Sequence, residues 1–324
     1  MSNAIVLREY GGPEALRLEP VDVGAPGPEE LRIRQTAIGV NFHDAYVRSG
    51  LYRTLKLPGV PGVEAAGIVE AAGPNSLGFA PGDRVAYVYP QYGAYSQERL
   101  LPASAALRVP DGVSDEVAAS LTVKGLTACL LLKRVRPVHA GDSVLIHAAA
   151  GGVGQLLVQW AKHLGATVIG TVGSAEKAKL ARECGADHVI LYREENFLDR
   201  VQALTNRRGV DVVYDSVGQD TFLRSIDCLA YFGTAVSFGQ SSGAVEPFAV
   251  SRLAARSTAV VRPILFHYLQ ERSSLEAMAR ETFGALAAGI ISARTVLRLP
   301  LSQAAEAHRA MESRALSGAI ILIP

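Results

Sequence analysis

Cysteine is scarce in this sequence: 324 residues hold three, at Cys129, Cys184 and Cys228, with no C-x-x-C pair. That excludes a disulfide framework and a four-cysteine structural zinc lobe. An excess of one charge is also missing. Lys and Arg number 32 against 31 Asp and Glu, a net charge of +1, and the basic residues are scattered. This balance argues against nucleic acid as a principal partner. No apolar run is long enough to cross a bilayer and no signal peptide opens the chain, so the expectation is a cytoplasmic protein with no membrane partner. Charged residues make up only 19% and hydrophobic ones 49%, which suits a sizeable core and excludes general disorder.

What is present is concentrated between Ser143 and Gly170, SVLIHAAAGGVGQLLVQWAKHLGATVIG. Val144, Leu145 and Ile146 form a short apolar strand of the kind buried on both faces. A small-residue turn, Ala148 to Gly154, follows at once. Val153, Leu156, Leu157, Trp160, Ala161 and Leu164 then recur every three or four residues, one apolar stripe of a helix. Gly165 stops that helix, and Thr167 begins the next strand. Strand, glycine turn, helix, strand is the unit that grips a dinucleotide. Small residues let the backbone approach a pyrophosphate, and free N–H groups at the helix start attract its charge. Ala149, Gly151 and Gly154 occupy the three positions of the G-x-G-x-x-G fingerprint, the first as alanine. No GK[ST] follows, which sets aside a nucleotide-hydrolysing P-loop.

Residues 1–123 read as an irregular, mainly β domain. Short runs (Ala4 to Arg8, Glu30 to Val40, Ala65 to Ala71, Arg84 to Val88) are broken by Gly and Pro pairs. Residues 124–265 alternate strands with helices. Helices are expected at Ser174 to Cys184, Asn196 to Thr205 and Thr221 to Leu229. Strands are expected at His188 to Leu191, Val210 to Asp215, Thr234 to Phe238 and Thr258 to Val261. The fold class is α/β, with a Rossmann-type doubly wound parallel sheet. Residues 266–324 supply a long amphipathic helix, Leu275 to Ala288, and a final strand, Gly318 to Pro324, expected to return to the first domain.

Eight motifs occur in order: GVNFHDAYVRSGLY (Gly39 to Tyr52), PGVEAAGIVEAAG (Pro61 to Gly73), GLTA (Gly125 to Ala128), AAAGGVG (Ala148 to Gly154), GTVGSAEKA (Gly170 to Ala178), GADHVI (Gly185 to Ile190), VVYDSVG (Val212 to Gly218) and VSFGQSSG (Val236 to Gly243). Over essentially its whole length the chain resembles the zinc-independent quinone oxidoreductases, the zeta-crystallin-like branch of the medium-chain dehydrogenase/reductase superfamily. The resemblance implies a GroES-like catalytic domain beside the nucleotide domain, NADPH as hydride donor, a cleft between the domains, and a homodimer formed through the nucleotide domain. Zinc-using relatives place a Cys where Asn41 stands and a His where Val63 precedes Glu64, so no metal is expected.

For the cofactor, the end of the second strand decides between phosphates. NAD enzymes hold the ribose with an acidic residue there. Thr171-Val172-Gly173-Ser174 has none before Glu176. Gly173 leaves room for a 2′-phosphate, Ser174 offers a hydrogen bond and Lys177 a positive charge; the resemblance adds Tyr192. It also implies cofactor contacts from the turn itself (Gly151, Gly152, Val153 and Gly154) and from Ser216, Val217 and Gly218. Further contacts are implied from Phe238, Gly239 and Gln240, and from Phe266, His267 and Tyr268.

At the reacting end, the Asn41 amide suits orientation of a nicotinamide or a substrate carbonyl, and Thr127 matches a family position near the nicotinamide. Tyr46 and Tyr52 can stack on or hydrogen-bond a planar quinone, with Tyr52 the first candidate to meet the developing oxyanion. Asp44 is a candidate either at this end or as the group that fixes Asn41. The function expected is an NADPH-dependent quinone reductase; an enone or 2-alkenal reductase shares fold and cofactor and stays open. A third reading, a cofactor-carrying structural or RNA-binding protein, is disfavoured by the intact glycine turn and the near-neutral charge.

Overall fold

The computed structural model describes residues 2–324. Two compact units divide it: the first takes residues to Lys124, Gln270–Phe283 and Ala293–Pro324, the second Gly125–Leu269 and Gly284–Ser292.

The first unit opens with a two-stranded antiparallel ribbon, β1 (Ser2–Leu7) and β2 (Leu16–Val21). Then come β3 (Glu30–Val40), α1 (Phe42–Ser49), β4 (Glu64–Ala72), β5 (Arg84–Val88), β6 (Glu98–Pro102) and β7 (Ala106–Arg108). Along β3, Leu31, Ile33, Gln35 and Ala37 are buried while Arg34 is exposed, the two-residue period of a strand with one face inward. Next, α2 (Asp115–Leu130) carries the chain onward. It lies close on β3 because of Gly39, where a Cβ would stand 2.3 Å from the Ala119 carbonyl oxygen and 2.3 Å from Glu64 Oε1. No other residue fits there.

The second unit contains β8 (Ser143–Ile146), α3 (Gly152–His163), β9 (Thr167–Val172), α4 (Ala175–Glu183), β10 (His188–Leu191), α5 (Phe197–Leu204), β11 (Val210–Asp215), α6 (Phe222–Asp227), β12 (Leu229–Ser237), β13 (Ala259–Val261) and the one-turn α7 (Leu265–Tyr268). Its six strands are all parallel, in the order β10-β9-β8-β11-β12-β13. This is the doubly wound arrangement, reversing direction between β8 and β11. Leu145, Ile169, Phe197, Val213 and Phe222 anchor one core. On α3, Leu156, Leu157, Trp160 and Ala161 are buried and Val153 half-buried, as the stripe predicts. Each large apolar side chain so covered contributes about 1.5–3 kcal/mol.

The chain then enters α8 (Arg272–Ala287), β14 (Thr295–Pro300), α9 (Ala304–Glu312) and β15 (Ala319–Ile323). β15 lies antiparallel to β3 and parallel to β14 in the seven-stranded sheet of the first unit, the return the sequence suggests.

Three departures have physical reasons. β12 begins at Leu229, five residues before the expected Thr234, because α6 ends at Asp227. Its register against β11 jumps between Leu229 and Thr234, and Phe232 in that interval has a φ of 65°. Helices α1 and α9 are amphipathic but only eight and nine residues long, α2 lacks a one-sided apolar stripe, and the strands β2, β6, β7 and β14 are short and weakly alternating, so none stands out in the sequence.

Candidate active site

The glycine turn sits where β8 ends, at the switch point of the second unit's sheet. Gly151 caps α3, and Ala148 takes a φ of 52° so that the Gly151 N–H reaches its carbonyl at 2.8 Å. A Cβ on Gly154 would lie 2.2 Å from that same carbonyl oxygen. The helix start can therefore approach the strand end only with glycine there, leaving the first-turn N–H groups pointing outward for an anion.

Across the switch point, β11 ends in Asp215, whose carboxylate accepts from the Val217 and Gly218 backbone N–H groups at 2.7 and 2.9 Å. Its other oxygen accepts from Thr221 at 2.6 Å and from Ser225. His147 completes the cluster, bonded to Thr171 at 2.9 Å and to Ser225 at 2.8 Å. Burial holds its pKa below the ordinary value, against the pull of Asp215. Ser225, His147 and Asp215 resemble a hydrolytic triad in type, yet all three are at most 1% exposed, closed off from any molecule in solution. Their role is to hold the loop at Ser216, Val217 and Gly218. That loop packs on Phe238, Gly239 and Gln240: a Cβ on Gly239 would stand 2.7 Å from the Ser216 carbonyl. Two of the predicted cofactor segments thus lie side by side. Phe266, His267 and Tyr268 form α7, with His267 and Tyr268 exposed.

At the end of β9, Gly173, Ser174, Lys177 and Tyr192 come together. The Tyr192 hydroxyl stands 2.8 Å from where a Gly173 Cβ would be, and the ring is 44% exposed. Ser174 caps α4, accepting from the Lys177 N–H at 3.4 Å. The Glu176 carboxylate bonds its own backbone N–H and Ser174, which lowers its pKa and turns it back onto the helix start.

In the first unit, Asn41 directly follows β3 and caps α1. Its amide is gripped at both ends: Nδ2 donates to Glu64 Oε1 at 2.8 Å, and Oδ1 accepts from Lys124 Nζ at 2.9 Å. Lys124 also donates to Glu64 at 3.1 Å, and the second Glu64 oxygen accepts from the Val123 N–H at 2.6 Å. Glu64 is fully buried and Lys124 8% exposed. Neither partner was singled out by the sequence reading. The available signal was Glu64 as the one charge between Leu57 and Val69, and Lys124 as the one charge between Val117 and Leu132, each in an apolar stretch where a charge needs a partner.

Tyr46 and Tyr52 meet edge to face with ring centroids 5.1 Å apart, and both are half-buried. His43 packs on Tyr52 at 5.7 Å and stacks on Tyr92 at 5.9 Å. Burial takes the His43 pKa down to about 4, so this wall is neutral. Tyr92 extends the aromatic group beyond what the sequence reading named. Asp44 is fully buried beneath it, accepting from the Asn41 backbone N–H at 2.9 Å, a positioning contact. Thr127 lies half-buried on α2, within the second unit.

Comparison with known proteins gives this architecture its relatives. A family described as alcohol dehydrogenase GroES-like domain matches residues 27–111, and one described as zinc-binding dehydrogenase matches residues 152–281. A quinone oxidoreductase from Pseudomonas aeruginosa is 44% identical, with all of both chains covered. The chain belongs to the quinone oxidoreductase family of medium-chain dehydrogenase/reductases. Within that family's reach, a 2-haloacrylate reductase from Burkholderia is 45% identical over 100% of this chain and 99% of its own. The structure of an Escherichia coli quinone oxidoreductase complexed with NADPH superposes with a TM-score of 0.96 at 43% identity, covering 99% of this chain and 100% of that one.

The second matching family's description implies zinc, and the donors here do not fit it. A cation is already built into the position, since the Lys124 ammonium sits against Asn41 Oδ1 and Glu64 Oε1. Among the described residues, no three His, Cys, Asp or Glu side chains gather as metal ligands. Substituting Lys124 by Met should lower stability by about 3–5 kcal/mol, because Glu64 is left buried without its cation. Adding Glu64→Gln should restore part of the loss. Urea unfolding at neutral pH measures both, and a loss below about 1 kcal/mol for the single variant would contradict the assignment.

Proposed function

We propose that this protein is an NADPH:quinone oxidoreductase, transferring hydride from NADPH to a small-molecule quinone. The observation that carries the reading is the glycine turn at the switch point, joined at the end of β9 to Gly173, Ser174, Lys177 and Tyr192 in place of an acidic ribose ligand. The full-length likeness to quinone oxidoreductases, one of them complexed with NADPH, supports it. No helix is long and apolar enough to cross a membrane.

In this reading Gly151, Gly152, Val153 and Gly154 receive the pyrophosphate, and Lys177 and Tyr192 meet the 2′-phosphate. Ser216 to Gly218, Phe238 to Gln240, Thr127 and the α7 residues Phe266, His267 and Tyr268 border the rest of the cofactor. When bound, NADPH supplies the hydride. Asn41 orients the substrate carbonyl: its Nδ2 carries a second N–H beyond the one given to Glu64. The Lys124 ammonium on Oδ1 polarises the amide and strengthens that donor. Tyr46, Tyr52 and the neutral His43–Tyr92 pair offer flat apolar faces to a planar ring and exclude water. A reduced quinone oxygen spreads its charge over the ring and takes its proton from solvent, so no strong acid is required.

A second reading, an NADPH-dependent enone or 2-alkenal reductase, is favoured by the likeness to 2-haloacrylate reductase. Steady-state NADPH oxidation should give a higher kcat/KM with 1,4-benzoquinone than with a simple enone; the reverse order would transfer the assignment. In the same assay Tyr52→Phe should lower kcat by no more than about tenfold, the value of one neutral hydrogen bond. A collapse of many orders would make Tyr52 an obligatory proton donor.

Lys177→Ala should weaken NADPH binding by roughly tenfold or more while sparing NADH, as removal of one charge-assisted phosphate contact requires. Isothermal titration with both cofactors decides it, and equal losses would discard the 2′-phosphate role.

The protein is also proposed to form a homodimer through its nucleotide-binding unit. β13 closes the sheet with one side paired to β12 and the other without a strand partner among the described residues. Phe232 and Val250 in the same unit are 79% and 77% exposed. Sedimentation velocity should give a species of twice the chain mass; a monomer at micromolar concentration would exclude it.

A further inference from the structure

Behind the Asn41 site runs a buried polar chain that the proposed reaction does not use. It starts at the exposed Glu312 on α9, whose carboxylate takes both terminal nitrogens of Arg48 at 2.7 and 3.0 Å. Arg48 Nη1 lies 3.2 Å from His308 Nδ1, His308 Nε2 lies 2.9 Å from the Tyr95 hydroxyl, and that hydroxyl lies 3.0 Å from Asp44 Oδ2. Arg48, His308, Tyr95 and Asp44 are each at most 3% exposed. The last bond of the series is the one from the Asn41 backbone N–H to Asp44 Oδ2.

The donor directions follow from chemistry. A guanidinium has only hydrogens to give, so His308 Nδ1 accepts. Burial first, and the Arg48 charge second, bring the His308 pKa down to about 3, so the ring is neutral and its one proton sits on Nε2. Nε2 donates to Tyr95, and the phenol O–H is left to donate to Asp44. From Arg48 through His308 and Tyr95, each bond points toward the Asp44 carboxyl group. That group receives two hydrogen bonds on Oδ2, while Oδ1 is buried with no hydrogen-bond partner among the described residues.

We propose that Asp44 is a positioning residue for Asn41, holding it most firmly as a carboxylate, and that the chain from Glu312 through Arg48, His308 and Tyr95 sets its ionisation. The inference rests on Asn41 being the group that meets the substrate. Asp44 is the third residue of α1, and its bond to the Asn41 N–H fixes the junction from which the Asn41 side chain projects. A charged acceptor makes that bond roughly twice as strong as a neutral one.

Burial raises the Asp44 pKa to about 7, and the bonds from Asn41 and Tyr95 work in the opposite direction. The charged or titratable groups that act on it are Tyr95 before β6, Glu64 on β4 and Lys124 on α2, and Tyr92 feels its charge. His43 and Arg48 share α1 with it, and His308 and Glu312 on α9 connect to it only through Tyr95 and Arg48. Glu64 pushes the Asp44 pKa up and Lys124 pulls it down. His43 and His308 are neutral through burial, and the Tyr92 and Tyr95 phenols are pushed above their usual range. The sign follows. Above its midpoint Asp44 is charged and grips Asn41, and as pH falls through the midpoint the grip weakens.

Protein labelled with nitrogen-15 at asparagine reads this without turnover. The Asn41 backbone amide should titrate with a midpoint near 7 in the wild type. In Tyr95→Phe, where the carboxylate loses a donor, the midpoint should rise by about one pH unit. In Asp44→Asn, which keeps shape and an acceptor, the amide should not titrate. The kcat/KM for 1,4-benzoquinone should fall as pH drops through the wild-type midpoint and stay flat in Asp44→Asn. An Asn41 amide indifferent to pH, or titrating identically in Tyr95→Phe, overturns the proposal, as does a kcat/KM transition that survives in Asp44→Asn. A titrating amide with no quinone turnover at any pH counts against the assigned activity and upholds the chain.

Discussion

One buried ammonium organises the first unit. Lys124 is nearly removed from water, and such a charge persists only where oxygens surround it closely. It finds Asn41 Oδ1 and Glu64 Oε1, and in doing so ties α2 to β4 and to the start of α1. Gly39 is glycine because Glu64 and the α2 backbone crowd into the space a Cβ would need. The same arrangement leaves the Asn41 amide locked in rotation, with its donor end polarised. Rigidity and polarisation have one source, the buried Lys124 ammonium.

The second unit solves a different problem, bringing a doubly charged linkage close to backbone. Here the governing group is Asp215, a fully buried acid. By taking two consecutive loop N–H groups and the hydroxyls of Thr221 and Ser225, it stiffens the turn after β11. His147, from β8, and Thr171, from β9, share the cluster, so three adjacent strand ends are coupled below the cofactor surface. A histidine, a serine and an aspartate in contact need not be a catalytic group. Burial decides, and here it gives them to the scaffold.

The nucleotide unit was largely legible because its signals are local. The β8 run, the glycine turn and the α3 stripe are adjacent in sequence, and each has its own period. The polar site was only half legible. Asn41, Tyr46 and Tyr52 stand within one motif and were named, whereas their supports arrive from far along the chain. Glu64 comes from β4, Lys124 from α2 and Tyr92 from the segment before β6, and His308 is 213 residues from the tyrosine it touches. A period of two or 3.6 residues says which face of an element is buried, not which distant element it meets. Asp44 shows the limit well. Its type admitted a place at the reacting end or beneath it, and only burial and the bond to the Asn41 N–H tell them apart.

The placement of β15 between β14 and β3 has a consequence for biosynthesis. A ribosome releases β3 early with its partners β4 and β6, yet its Ile38–Val40 end lacks a neighbour on one side until everything through Ala319–Ile323 has emerged. The nucleotide-binding strands, all encoded in between, can close their sheet before then. The nascent N-terminal half must therefore persist with a short open stretch of strand edge while the downstream half matures, and the Ile38–Val40 end of β3 is where that edge needs protection during translation.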